Sequence, residues 1–362
     1  MNKQYTIAVL GSHSALDVCR GAKDLGFKTL VIVQKGRDKT YSKYYKSNGS
    51  LGVVDEVLEL ENFKDILKPE IQEELLKRNA IFIPHRSFEV YINDYDAIEN
   101  KFKVPMFGNK FLLKAEERGI KPNQYDLLDK AQIRYPKQFK DPKDIDRLCI
   151  VKVLEKERGF ERAFFMVESG SEFYKTRDEA IKMGKVTEEA FMNAVIEEFI
   201  AGVQVNFNFF YDPINERLEL IGTDTRRQTN IDGFSKLEPD NAELVWKRAG
   251  VKWEEAGHIA VTVLESLLED AFATGERFVK ATQDLYKPGV IGSFGLQTMI
   301  IPGPPKKEII VFDVSPRMPG SPGIFATPYS GYLYGQNMSM GKRVAMEIKE
   351  AIEKDQLEKV IT

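Results

Sequence analysis

The chain has 362 residues, 43% of them hydrophobic and 30% charged, an ordinary composition for a soluble protein of two or three lobes with a large core. Its net charge of −3 argues against a sequence-independent nucleic-acid surface. Two cysteines in apolar surroundings and three widely spaced histidines argue against a zinc cluster.

Residues 5–10 form a short apolar strand so near the N-terminus that no signal peptide is expected. Residues 15–25 have helical spacing, with Leu16, Cys19 and Ala22 on one face, and Gly26 stops the helix. A continuous apolar strand follows at 29–33, as in buried parallel sheets, then a strand at 55–60, a helix at about 68–78 and a strand at 80–83. This alternation predicts an α/β, doubly wound βαβ lobe whose ligand edge lies at the carboxyl ends of the strands. Gly11-Ser12-His13-Ser14, Pro84-His85-Arg86-Ser87-Phe88 and Phe107-Gly108-Asn109-Lys110 fall on that edge.

From about residue 114 the pattern changes. A helix at 125–131, strands at 149–153 and 163–167 and a helix at 172–183 predict a small second lobe. Longer strands of antiparallel type are expected at 194–200, 203–211 and 218–223. Residues 253–285 read as mostly helical with a break near Gly275. Strands at 293–301 and 308–314 flank a Pro-Gly-rich turn, and an amphipathic helix at 340–353 closes the chain. The expected lobes are 1–113, 114–190 and 191–362. No apolar run approaches the ~20 residues of a membrane helix, so a cytoplasmic protein is expected.

The most informative stretch is Val311-Phe312-Asp313-Val314-Ser315-Pro316-Arg317. Asp313 and Ser315 alternate at a strand end, and Gln297 ends the preceding strand. Adjacent strands bring side chains of one face together, so these oxygen donors can converge on a hard cation such as Mg²⁺. Arg317 can then hold a phosphate beside it. An ordinary buried strand with a solvated polar end fits the same residues. Lys152 is the sole charge in Cys149-Ile150-Val151-Lys152-Val153, and either a nucleotide phosphate or a nearby Glu can answer it. Glu197-Glu198-Phe199-Ile200 runs into Ala201-Gly202; its peptide groups and a carboxylate can face an adenine, or the acidic pair is simply solvated. Gly11 to Ser14 opens a helix, where free N–H groups bind phosphate and where Ser12 or Ser14 can equally act as a cap. G-x-G-x-x-G is missing, which speaks against a dinucleotide. His85 and Ser87 sit at an equivalent edge, as part of a pocket or of a structural turn. Arg226-Arg227-Gln228-Thr229-Asn230-Ile231-Asp232-Gly233 is dense in groups that suit phosphate, amide or ribose, as are many solvated loops.

In order along nearly the whole chain, these pieces resemble the archaeal formate-dependent 5-formaminoimidazole-4-carboxamide ribonucleotide synthetases, an ATP-grasp ligase family. The matching elements are Gly11-Ser12-His13-Ser14-Ala15-Leu16 with Gly21-Ala22-Lys23, Pro84-His85-x-Ser87-Phe88, and Val104-Pro105-Met106-Phe107-Gly108-Asn109. They continue with Ile196-Glu197-Glu198-Phe199, Asn230-Ile231-Asp232-Gly233, Gln297, Phe312-Asp313-x-Ser315-x-Arg317 and Ser339-Met340-Gly341-Lys342-Arg343. The resemblance implies an ATP-grasp fold with an N-terminal βαβ lobe, and an ATP- and Mg²⁺-dependent ligase of purine biosynthesis, with Mn²⁺ as the alternative ion. It implies that His13, Ser14, Ser87 and Asn230 bind the aminoimidazole carboxamide ribonucleotide. Lys152 and the hinge of Glu197, Glu198 and Ile200 would bind ATP, Gln297, Asp313 and Ser315 would ligate the metal, and Arg317 with Lys152 would act on the phosphoryl groups. Formate would be activated as formyl phosphate, and the substrate amine would then expel phosphate, with no covalent nucleophile on the protein. Formate and the ribonucleotide are the implied partners, without nucleic acid or membrane, in a homo-oligomer.

Three departures from the family pattern stand out. Where the family has a glycine-rich loop, Leu154-Glu155-Lys156-Glu157-Arg158-Gly159-Phe160-Glu161-Arg162 keeps one glycine and carries three glutamates, which repel phosphate. Arg86 stands at the substrate pocket in place of glycine. Asp-x-Ser-x-Arg replaces the usual Glu-x-Asn-x-Arg, shortening the acid by a methylene. These departures keep open a ligase for another acid or amine, or a nucleotide binder without turnover.

Overall fold

The computed structural model describes residues 4–153, 164–303 and 305–362. Its N-terminal sheet is parallel, in the order β3-β2-β1-β4, from β1 (Thr6–Leu10), β2 (Lys28–Gln34), β3 (Glu56–Leu60) and β4 (Ala80–Ile83). Every residue of β1 and β4 is buried, which is why their apolar runs do not alternate with polar residues. Helix α1 (Ala15–Asp24) and helix α2 (Pro69–Lys77) carry crossovers, and α3 (Arg86–Ile92) and α4 (Tyr95–Asn100) follow β4. After α5 (Gln124–Lys130) comes a small antiparallel sheet, ordered β5-β8-β6-β7, from β5 (Gln138–Phe139), β6 (Cys149–Lys152), β7 (Phe164–Val167) and β8 (Val195–Glu198). Helices α6 (Gly170–Lys182) and α7 (Glu188–Met192) supply Phe173, Ala180 and Phe191 to its core.

The large sheet is antiparallel, ordered β11-β10-β9-β12-β13, from β9 (Val203–Asp212), β10 (Arg217–Thr229), β11 (Trp253–Ala260), β12 (Gly292–Ile301) and β13 (Glu308–Ser315). Helices α8 (Ile231–Phe234) and α9 (Pro239–Ala249) make an excursion between β10 and β11. Helix α10 (Leu268–Leu285) packs on one sheet face, and α11 (Tyr329–Tyr334) and α12 (Met340–Glu353) end the chain. Among the described residues no helix is long and apolar enough to cross a membrane.

Three parts of the sequence reading change. Residues 253–260 are strand, not helix, because they pair with an extension of β10 that runs to Thr229 rather than 223. Helix α10 passes through Gly275 without a break; a Cβ there would lie 2.7 Å from Leu218 Cδ2 and 3.4 Å from the Phe209 ring. That glycine lets the helix approach the sheet closely. The expected lobe boundaries also shift. β8 belongs to the small sheet although it lies beyond residue 190, and Leu112, Ala115, Leu127 and Leu128 pack with Phe207, Phe209 and Phe294 in the core of the large sheet. Helix α12 lies against α1 in the N-terminal layer, where the backbones meet at two glycines: a Cβ on Gly21 would sit 2.3 Å from the Gly341 carbonyl. The acidic segment 154–162 and part of the Pro-Gly turn lie outside the described residues.

Candidate functional site

A cavity of about 590 Å³ opens between the small and the large sheet. Strand register explains its roof. Ile150 pairs with Glu197 and Met166, and Lys152 pairs with Val195 and Phe164, so these side chains share one face. The opposite face carries Cys149, Val151 and Ile196 into the small sheet's own core. Gln204, Arg226, Gln228, Gln297, Met299 and Asp313 supply the floor. Phe164, Met166, Ile150 and Met299 add apolar surface to a lining that also carries Lys152, Glu197, Arg226 and Asp313, a mixture that suits a flat base joined to an anionic tail.

Lys152 and Glu197 meet inside this cavity. Lys152 Nζ lies 2.5 Å from Glu197 Oε2, and Glu197 is completely buried. The contact is an ion pair rather than an aligned hydrogen bond, and the other Glu197 oxygen accepts from the Tyr125 hydroxyl. Of the two partners the sequence allowed for Lys152, phosphate or glutamate, the glutamate is at hand in Glu197. Glu198 also borders the cavity, but its carboxylate is engaged on the other face of β8, 3.4 Å from Arg147 Nη1 and accepting from the Lys137 amide at 3.3 Å. Glu197 is therefore the inward carboxylate, while Ile200 lines the cavity beside it.

The oxygen donors anticipated on β12 and β13 do converge. Gln297 pairs with Asp313 across the ladder; its amide nitrogen donates to Asp313 Oδ2 at 2.9 Å and lies 3.4 Å from Ser315 Oγ. Burial opposes the charge on Asp313, but Arg118, Lys152 and Arg226 outweigh it and hold the carboxyl below the usual range. Arg118 Nη2 donates to Asp313 Oδ1 at 2.9 Å. Asn206 pairs with Gln297 from the other side, and its amide oxygen is buried without a partner. An ionised carboxylate, an amide, a hydroxyl and an unsatisfied carbonyl oxygen form a donor set that fits a hard divalent cation.

A second cradle lies at the ends of β1 and β4. His13 adopts φ of +52° and stacks on His85 with centroids 5.3 Å apart. Ser14 Oγ is 3.0 Å from His13 Nδ1, and Ser87 Oγ donates to Ser12 Oγ at 3.0 Å. His85 Nε2 lies 2.9 Å from the Leu10 carbonyl, while its Nδ1 is buried without a partner. The His13 edge is open to solvent, yet burial of the rest of the ring, then the charge of Arg317 and after it His85, His258 and Arg226, pull its pKa below the ordinary imidazole value. Gly320 leaves room for it, since a Cβ there would be 2.5 Å from His13 Nε2.

Not every anticipated residue reaches a site. Arg317 is outside the cavity lining: its Nη2 donates to Glu116 Oε1 at 2.9 Å and its Nε lies 3.5 Å from Glu89. Arg86 turns to the same acids, 3.3 Å from Glu117. Asn230 spends its amide locally, donating to Gly250 O at 3.1 Å and accepting from Lys252 N at 2.8 Å.

Other residues of the site went unnoticed. Asp224 is buried and accepts from Asn206 at 2.9 Å, from Asn208 at 2.6 Å and from His258 at 2.5 Å. A signal for the asparagines existed: Gln204, Asn206 and Asn208 alternate with Val205, Phe207 and Phe209, as on a strand with one polar face. Arg118 carries no such signal, because it lies in an irregular segment.

Comparisons with known proteins were made for the whole chain. Two family models match, one described as a domain of unknown function (DUF1297) over residues 172–362 and one as a protein of unknown function (DUF1246) over 7–139. Relatives from Methanocaldococcus jannaschii and Methanopyrus kandleri are each 38% identical, covering 99% of this chain and 95% of their own length. Both are named 5-formaminoimidazole-4-carboxamide-1-(beta)-D-ribofuranosyl 5'-monophosphate synthetase. The crystal structure of an IMP biosynthesis protein PurP from Thermococcus kodakaraensis matches with a TM-score of 0.71 and 29% identity, covering 98% of this chain and all of that one. An ADP complex of N5-carboxyaminoimidazole ribonucleotide synthetase matches at a TM-score of 0.57 and 12% identity, over 88% of this chain and 71% of that one, a likeness of fold alone.

Proposed function

The chain belongs to the family of 5-formaminoimidazole-4-carboxamide ribonucleotide synthetases, and on that premise we infer how its own residues serve the ligation. It has the ATP-grasp fold and is an ATP-dependent ligase of purine biosynthesis that forms a C–N bond in a formylated aminoimidazole carboxamide ribonucleotide.

ATP lies in the cavity between the sheets, with adenine against Ile150, Met166 and Met299 and the β8 hinge at Glu197 to Ile200. Lys152 exchanges Glu197 for phosphate oxygens. Gln297, Asp313 and Ser315, with Asn206 added, hold Mg²⁺, which when bound neutralises phosphate charge; Mn²⁺ has the same donor preferences. A formate oxygen attacks the γ-phosphorus and ADP leaves. The amine of the ribonucleotide then attacks the formyl carbon, phosphate departs with the C–O bond electrons, and the nitrogen loses a proton. Formate alone is a poor acylating agent, so ATP supplies the activation. The protein's part is to position the reactants and balance charge. His13, Ser14 and Ser87, at the carboxyl ends of β1 and β4, hold the ribonucleotide.

The observation that carries this reading is the placing of the Lys152–Glu197 pair in the roof of one cavity and of Gln297 and Asp313, with Ser315 beside them, in its floor. Purified protein with ATP, Mg²⁺, formate and the carboxamide ribonucleotide should release phosphate in step with formylated product. Lys152→Ala should slow release by about 100-fold, the scale of losing one transition-state contact. Equal rates in the two proteins would sink the assignment. Arg86, engaged with Glu117, favours the unaltered substrate; a panel of small carboxylates and amines tests the alternative, and faster turnover with any of them than with formate would establish it. A cytoplasmic place and a homo-oligomeric state belong to the same reading, and sedimentation velocity checks the second.

A further inference from the structure

A segment between the N-terminal lobe and α5 is strapped onto β13 beside the metal pole. Gln124 Oε1 accepts from the Val314 amide at 3.0 Å, and Gln124 Nε2 donates to the Glu116 carbonyl at 3.1 Å. Asn123 fixes the middle: its Nδ2 donates to the Arg118 carbonyl at 2.8 Å, and its Oδ1 accepts from the Tyr125 amide at 3.0 Å. These bonds aim the Arg118 side chain into the cavity wall. Its Nη2 donates to Asp313 Oδ1 at 2.9 Å and its Nε to the Tyr125 hydroxyl at 3.0 Å. The same hydroxyl donates to Glu197, and Glu197 pairs with Lys152. An unbroken line of polar contacts therefore runs Asp313–Arg118–Tyr125–Glu197–Lys152, from the metal pole to the hinge.

We propose that Arg118 is the resident counter-cation of the metal pole, compensating Asp313 when no metal is bound and turning to the nucleotide's phosphates when a metal takes that carboxylate. The inference rests on the Mg-ATP reading and adds a positioning residue to it. A carboxylate in this wall without a positive partner is costly and would repel an incoming triphosphate. Two opposite pairs, Arg118 with Asp313 and Lys152 with Glu197, give each of these two carboxylates a cation of its own. A divalent ion at Asp313 duplicates the charge of Arg118 there and releases its fork of donors toward the space that Arg118 already lines. The guanidinium then offsets phosphate charge and keeps its second contact to Tyr125.

Calorimetric titration of ATP, once with excess Mg²⁺ and once with EDTA, tests this apart from turnover. Arg118→Gln should lose about tenfold or more in affinity for metal-free ATP and clearly less in Mg²⁺, so that metal dependence rises. Asp313→Asn should do the reverse: metal-free ATP binds more tightly than to the wild type, because Arg118 is unopposed, and the benefit of Mg²⁺ shrinks. Arg118→Lys should stay near the wild type. Equal losses in both conditions for Arg118→Gln, or weaker metal-free binding by Asp313→Asn, would overturn the proposal. The Asp313→Asn titration decides it should Arg118→Gln fail to fold. A wild type that binds no ATP in either condition would overturn the nucleotide reading, and the role of Arg118 with it; binding by the wild type with unshifted variants overturns the role alone.

Discussion

Two arginines packed against the large sheet, Arg343 buried and Arg118 half-buried, invite comparison. Arg343, on α12, donates to Glu219 at 2.6 Å, Glu347 at 2.9 Å and Asp212 at 3.1 Å, and its guanidinium lies 4.0 Å from the Phe210 ring centre. It is 1% exposed. Arg118 meets one carboxylate and one phenol and lines a cavity. Both are arginine–carboxylate sites inside the protein. One is saturated by fixed partners and sealed under a helix; the other keeps a single carboxylate that a metal can claim. Charge burial alone therefore does not mark a functional site. The open space next to the pair, and a partner that another ion can take, do.

The sealed pair should dominate stability. Arg343→Ala leaves Glu219, Asp212 and Glu347 buried without their common partner, and the loss should be about 3–5 kcal/mol, read as a large fall in the denaturant midpoint. A loss equal to that of Arg118→Gln would erase the distinction between the two regions. A smaller effect is expected from the contact that seats α12. Gly21→Ala would force a methyl against the Gly341 backbone and should cost about 1–3 kcal/mol, with the metal dependence of ATP binding unchanged. A shift in that dependence would mean that the sealed end communicates with the open one.

The smallest effect concerns pH. His258 is bonded to Asp224 at 2.5 Å and Glu255 at 3.0 Å. Burial alone would lower its pKa, but these acids outweigh burial and raise it from 6.5 to about 9. A raised folded-state value stabilises fully below pH 6.5, and that contribution disappears as pH climbs through 9. Stability should therefore fall as pH rises across that window, and His258→Asn should flatten the slope. Parallel slopes in the two proteins would show that the imidazolium contributes nothing there.

Much of the fold was visible in local pattern. Strands β1, β2 and β4 of the N-terminal sheet, α1, and α12 at 340–353 all carry their own signal, either a solid apolar run or a 3.6-residue period. Helix α9 has no buried residue and thus no stripe to find. Residues 253–260 misled because a polar edge strand is defined by its neighbour, and that neighbour ran six residues further than its apolar core. That Gln297, Asp313 and Ser315 would lie side by side was legible, because alternation on two adjacent strands leaves few ways to arrange them. Asn230 and Arg317 were not, since the group each side chain meets, Gly250 O or Glu116, lies far from it in sequence.

Which residues could be strand or helix, and which oxygens would share a face, followed from short-range periodicity, for a side chain's direction is set within two to four residues of its own backbone. Which carboxylate each cation would meet did not follow. Arg118 and Asp313 are 195 residues apart in sequence, and their pairing depends on a strap, a sheet edge and a hinge arriving together in three dimensions.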